Sequence, residues 1–322
     1  MNKGRNMKYT LVAMMCFLSI VGCSASESVE NTSTKVIEGS TSFMLEKNNN
    51  HIIDVQNGVS DYKKNGDVAI EFYGHMAFKI VSPEGLSILI DPWRNDPTGV
   101  FGKWYKHDFP NVDVDIALSS HAHFDHDALY RAHATMNLER LSGVFELGDV
   151  KITGLADKHQ CHAPGETNWT KGLKDNFGLD LNALCPKNAP MSWDNNIFVI
   201  ETGGLKIGFW GDNRPDLPDE IRSQLKDLDI MIMNIDGSRH ILSYKQVEEI
   251  LKDLKPKTVI PGHYFTRGLE LTESTLKSAD LWVAVQENSE TLSSNTMIFN
   301  QKLVDESPVG MVYYFRDNYK QK

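Results

Sequence analysis

Residues 119–127 read Ser-Ser-His-Ala-His-Phe-Asp-His-Asp, and His121, His123, Asp125, His126 and Asp127 crowd the end of the apolar run Val114-Asp115-Ile116-Ala117-Leu118. A lone histidine after a strand is most simply a side chain satisfied by its neighbours. His-x-His-x-Asp-His directly after one is different, because neutral imidazoles and carboxylates together suit zinc, iron or manganese. The stretch therefore reads as a strand that ends in a metal site.

Working outward, short apolar runs flank this point. Val68–Tyr73, Met76–Val81 and Leu86–Ile90 precede it, with a turn signal at Pro83-Glu84-Gly85. Their β-branched content predicts strands. Further strands are expected at 114–119, 150–155, 196–202, 205–210, 229–234 and 257–261. Helical spacing appears at 217–227 and at 243–254, where Ser243 is placed to cap and Val247, Ile250, Leu251 and Leu254 share a face. Strands alternating with helices predict an α/β fold with helices outside the sheets. Residues 161–193 hold Pro164, Gly165, Gly172, Gly178, Pro186 and Pro190 and read as an insertion or lid.

Several later residues repeat the strand-then-ligand pattern. Gly74-His75 leads into a strand, and Ile88-Leu89-Ile90-Asp91-Pro92-Trp93 is a strand ending in Asp. Lys151-Ile152-Thr153-Gly154 leads to His159, Leu205–Trp210 to Gly211-Asp212, and Val259-Ile260-Pro261-Gly262 to His263-Tyr264. In this order the segments resemble the metallo-β-lactamase superfamily of metal-dependent hydrolases over most of residues 67–264. The opening Gly74-His75 resembles the ascorbate-phosphate-lactonase-like branch. The resemblance implies an αββα four-layer sandwich with two divalent cations at one edge. His121, His123 and His159 would hold the first, Asp125, His126 and His263 the second, and Asp212 would bridge them. Zinc is the expected metal, with manganese or iron as alternatives. A cation lowers the pKa of a bound water to about 7, which yields a nucleophile for an ester, lactone or phosphodiester. Asp125 is expected to orient that water or accept its proton.

Other roles stay open on the sequence. His162 competes with His159 as a ligand. Asp91 is read as orienting a ligand histidine. His240, after Asp236-Gly237-Ser238-Arg239, is a candidate proton donor or oxyanion partner, with a backbone-satisfied histidine an equal reading. Tyr264 has the same standing, and His75 is expected to orient a loop under the metals. The insertion and Asn213, after Gly211-Asp212, depart from the family pattern and bear on substrate class.

The beginning of the chain reads as targeting. Lys3, Arg5 and Lys8 precede the apolar Thr10–Val21, too short for a membrane span of roughly 20 residues. Ile20-Val21-Gly22-Cys23 resembles the bacterial lipobox, which implies a signal peptide over 1–22 and a lipid on Cys23. Residues 23–64, rich in Ser, Glu, Thr and Asn, then form a polar tether, and 65–322 the hydrolase domain. This predicts an exported lipoprotein, membrane-anchored in the periplasm or at the cell surface. Losing Lys3, Arg5 and Lys8 takes the net charge from −10 to −13. That balance argues against a nucleic-acid partner and leaves a small-molecule substrate. Cys161 and Cys185 remain in the exported body; they either pair or leave Cys161 as a thiol between His159 and His162. Pairing is the favoured expectation. A second function class, a surface binding lipoprotein that keeps the fold without turnover, is motivated by the tether and the insertion.

Overall fold

In a computed structural model, residues 66–99, 101–160, 178, 193–237, 241–271 and 274–321 are described. The signal peptide, Cys23, the tether, Cys161, His162, Cys185, His240 and nearly all of the 161–193 insertion lie outside these residues.

The strands are β1 (Val68–Phe72), β2 (Phe78–Val81), β3 (Ser87–Ile90), β4 (Val112–Ser119), β5 (Ala132–Glu139), β6 (Gly143–Leu147) and β7 (Val150–Asp157). They continue as β8 (Asn195–Thr202), β9 (Leu205–Phe209), β10 (Ile230–Asn234), β11 (Thr258–Gly262), β12 (Ser289–Thr291), β13 (Thr296–Phe299) and β14 (Met311–Tyr314). They form two mixed sheets. The six-stranded sheet has the order β13-β1-β2-β3-β4-β5, and the eight-stranded sheet β12-β14-β11-β10-β9-β8-β7-β6. In the first, β3, β4 and β5 are parallel; in the second, β9, β10, β11, β14 and β12 are.

The two sheets bury one shared core. Alternate residues Val68, Ile70 and Phe72 of β1 meet Ile152, Ile200, Ile207 and Phe209 of the other sheet, and the rings of Phe78 and Phe209 lie 6.5 Å apart. Ala69, which points to the other face of the sheet, is buried as well. This is the sandwich of the metallo-β-lactamase fold.

The helices are short, apart from α2. They are α1 (Asp219–Gln224), α2 (Tyr244–Leu254), α3 (Asp280–Val283) and α4 (Gln301–Glu306). The Ser243 side chain accepts from the Gln246 amide while Gln246 reaches back, a capping box, and Val247, Ile250 and Leu254 are buried as the spacing predicts. The outer face of the six-stranded sheet departs from the expectation of covering helices. There Leu89, Val114 and Ala117 pack under Trp93, Trp104, Tyr105 and Phe109 from the β3–β4 connection, and under Leu269 and Leu276 from the segment after β11. Pro92, Pro97, Gly99, Gly102 and Pro110 keep that connection from becoming a helix, so large aromatic rings supply the layer instead.

Strands β5, β6 and β12 to β14, together with α3 and α4, were not expected. The sequence of β5 alternates Ala132, Ala134, Met136 and Leu138 with His133, Thr135, Asn137 and Glu139, the signature of an edge strand with one wet face.

Candidate metal centre

The carboxyl ends of parallel strands are where open α/β sheets gather their ligands, since loops can converge there without breaking the ladder. Here β3 delivers Asp91, β4 delivers the 119–127 stretch, β9 delivers Asp212, β10 delivers Asn234 and β11 delivers His263. His159 arrives from the end of the antiparallel β7. His75, Asp91 and His263 hold φ of 55°, 50° and 55°, left-handed values that side-chain-bearing residues adopt only where the surroundings fix them.

Asp91 braces the 119–127 turn. Its Oδ1 accepts the Ser120 amide at 2.6 Å; its Oδ2 accepts the Ser120 hydroxyl at 2.6 Å and pairs with His126 Nδ1 at 2.7 Å. The Ser120 hydroxyl also lies 3.0 Å from His121 Nδ1. The outer nitrogens of His121 and His126 are thus engaged, which turns both Nε2 atoms inward.

Asp212 stands at the middle. Its Oδ2 lies 3.7 Å from His121 Nε2, 3.3 Å from His126 Nε2 and 3.4 Å from His159 Nε2, while its Oδ1 lies 3.4 Å from His263 Nε2. Asn234 Nδ2 donates to Oδ1 at 2.8 Å, and Asn195 Oδ1 accepts the Asp212 amide at 3.1 Å. Gly211, just before it, holds φ +60°, and a Cβ there would come within 3.0 Å of Asn195 and Ser120, so glycine is required for the close approach. Asp125 is held by His75, whose Nε2 lies 3.1 Å from Oδ2.

Two sets of ligand atoms each fall within 4.8 Å of one another: His121, His123 and His159 in one, and His75, Asp125, His126 and His263 in the other. The structure therefore brings together all seven candidate ligands named from the sequence and divides them as the family pattern implies. It adds His75 to the second set, where a loop-orienting residue was expected. Asp91 also neighbours His121 and His126, but its carboxylate is already occupied by Ser120 and His126 Nδ1.

The donors fit divalent cations. The buried atoms His121 Nε2, His126 Nε2, His159 Nε2 and Asp212 Oδ2 have no hydrogen-bond partner among the described residues. Three imidazole nitrogens and a carboxylate oxygen thus converge without a well-aligned hydrogen bond, and a cation among them would satisfy all four. Nitrogen and carboxylate donors at this spacing match zinc, manganese or iron.

The electrostatics are those of crowded carboxylates. Burial lowers the His126 pKa, yet Asp212, Asp125 and Asp91 together carry it well above the ordinary value. Burial raises Asp212 and Asp125, but His126 and His263 for the one, and His126 and His75 for the other, hold both well below the usual carboxylate range. Burial, with the neighbouring His263, pushes His75 down to about 3, so its ring is neutral near pH 7. His123 reaches solvent at the rim, though the protein packed around its ring and the nearby His159 lower it to about 4.

Several contributors were invisible in the sequence. Asn213, which departs from the family pattern, donates to Asp157 at 2.8 Å and accepts from Asn195 at 3.0 Å. It also pairs across a bridge with His159, so it locks the end of β7 to the Asp212 turn. Tyr264 is not at the centre's disposal: its hydroxyl donates to the Arg316 carbonyl at 2.8 Å.

A family model described as the beta-lactamase superfamily domain matches residues 69–263, which hold all seven candidate ligands. The chain belongs to this superfamily. Proteins described as UPF0173 metal-dependent hydrolases are similar to it. The one from Thermodesulfovibrio yellowstonii is 30% identical over 218 residues, covering 62% of this chain and 80% of the relative. The one from Carboxydothermus hydrogenoformans is 29% identical over 206 residues, covering 61% and 84%. A crystal structure of a metallo-beta-lactamase superfamily protein from Thermotoga maritima shares the fold, with a TM-score of 0.52 at 22% identity over 77% of this chain and 97% of the other. This superfamily member is a metal-dependent hydrolase.

Proposed function

We propose that the protein is an exported, lipid-anchored hydrolase that holds two divalent cations, zinc first among them, and cleaves an ester, lactone or phosphodiester bond. The observation that carries this reading is the two ligand sets, His121, His123 and His159 in one and His75, Asp125, His126 and His263 in the other, gathered around the buried Asp212. His121, His123 and His159 would hold the first cation and Asp125, His126 and His263 the second, with Asp212 between the two sets. Such cations would supply Lewis acidity and lower the pKa of a bound water to about 7.

The chain's own residues do the rest. Asp91 and Ser120 fix the tautomers and directions of His121 and His126. Asn234 and Asn195 fix Asp212. His75, neutral, holds Asp125 Oδ2, and Asp125 would orient the attacking water or accept its proton. Purified protein saturated with zinc and then desalted should retain about two ions per chain. It should also turn over some member of a panel of generic carboxylic esters, lactones and bis-phosphodiesters. A folded protein that retains no metal ends the reading.

The anchor rests on Ile20-Val21-Gly22-Cys23 and the polar run that follows. Acyl chains contribute about 0.8 kcal/mol per buried CH₂, enough for two or more chains to hold a protein at a membrane. Expressed from its full sequence in bacteria, the wild type should sediment with membranes, and Cys23→Ser should move it to the soluble fraction. An unchanged distribution would remove the lipid from the proposal.

A further inference from the structure

We infer that Tyr105 is a catalytic residue of this centre, a neutral donor whose hydroxyl hydrogen-bonds the substrate oxygen on which negative charge develops during hydrolysis. The inference rests on the hydrolase reading of the site.

Buried tyrosine hydroxyls normally find an acceptor. In this protein Tyr73 donates to Glu71 at 3.2 Å, Tyr264 to the Arg316 carbonyl at 2.8 Å and Tyr244 to the Ser278 carbonyl at 2.7 Å. Tyr105 is 2% exposed, and among the described residues its hydroxyl has no partner. It shares that condition with the inward atoms of His121, His126, His159 and Asp212.

The Tyr105 ring is packed against the same cluster of side chains. The Tyr105 ring meets the His75 ring edge to face, with centroids 5.8 Å apart, and His75 in turn holds Asp125. A neutral phenol offers one O–H to donate.

The position is also rigid. The ring stacks on Trp93 at 4.0 Å and 11°. Asn95 clamps the backbone on both sides, accepting the Tyr105 amide at 2.8 Å and donating to its carbonyl at 2.9 Å. Lys106 donates to the Gly268 carbonyl at 2.9 Å and Glu270 to the Trp104 carbonyl at 2.8 Å, which ties the loop to the segment that follows His263. A donor fixed in advance and without a competing acceptor is what stabilises charge as it develops on an oxygen.

Tyr105→Phe removes the hydroxyl and keeps the ring, so the stacking on Trp93 survives. Metal-free variant should melt no lower than metal-free wild type, because the atom removed makes no bond. Zinc content should be unchanged. Inorganic phosphate, titrated calorimetrically into the zinc-loaded proteins as an oxyanion probe, should bind the variant about 10-fold more weakly, and kcat on a generic ester or bis-phosphodiester should fall about 100-fold with KM little changed. Equal phosphate affinity and equal kcat in the two proteins would overturn the assignment while leaving the hydrolase reading intact. A lower melting temperature with unchanged phosphate binding would also overturn it, as a structural role. Wild type that retains no zinc would sink the hydrolase reading, and this inference with it.

Discussion

Asp212→Asn should reduce the retained metal from about two ions per chain to one or fewer and cut hydrolysis by roughly 10³-fold or more. The substitution is chosen because it changes charge and little else. Asn234 donates to Asp212 Oδ1 at 2.8 Å, and an amide oxygen accepts that bond equally well. The Asp212 amide still meets Asn195 at 3.1 Å, and the Gly211 turn is untouched. What disappears is the second anionic oxygen, the one that lies 3.3 to 3.7 Å from the Nε2 atoms of His126, His159 and His121. An –NH₂ group there turns two hydrogens toward nitrogens that are themselves meant to face a cation. Two ions held a few ångströms apart repel each other strongly, and a bridging carboxylate is what offsets that repulsion. Metal analysis together with turnover on the cleaved panel substrate checks the result. Two retained ions and near-wild-type turnover would mean that Asp212 does not stand between the cations.

Much of this centre was legible in the sequence, because each ligand follows an apolar strand and strands announce themselves locally. The runs before Asp91, Ser119, Asp212 and His263 are fully buried or nearly so in the structure, and each ends where its composition says it should. The braces were not legible. Ser120, Asn195, Asn213 and Asn234 look like turn or strand-end residues, and their partners lie far away along the chain. His75 was seen, but nothing local says that its ring reaches Asp125, which follows β4 of the same sheet. Tyr105 sits in an aromatic stretch that reads as packing, and its unpaired hydroxyl becomes visible only once the loop is folded over Trp93. The strands after residue 288 were missed for another reason. Strand β12 is exposed throughout, and β13 only partly buried, so their sequences carry little periodicity to detect.

Asp91→Asn should separate folding from metal binding, weakening zinc affinity about 10–100-fold while shifting the stability of the metal-free protein by about 2 kcal/mol or less. Asp91 accepts three hydrogen bonds, two of them at Oδ2 from Ser120 and His126. Asparagine has one accepting oxygen, so the Ser120 amide on one side, or the Ser120 hydroxyl and His126 on the other, must lose its partner. Two terms limit the cost to stability. Burial makes the carboxylate itself unfavourable, and its pKa is raised although His126 and Ser120 both pull the other way; a neutral amide avoids that cost. The backbone conformation, with φ of 50°, is one that asparagine adopts as readily as aspartate. Metal affinity has no such compensation. Without the carboxylate, His126 Nδ1 is no longer fixed as the hydrogen-bearing nitrogen, so Nε2 is not held ready as a lone-pair donor, and the ring loses the negative charge that makes it a better ligand. Calorimetric zinc titration and thermal unfolding of the metal-free variant measure the two effects independently. A large loss of stability with unchanged zinc affinity would make Asp91 a structural pillar of the turn rather than the residue that aims His126.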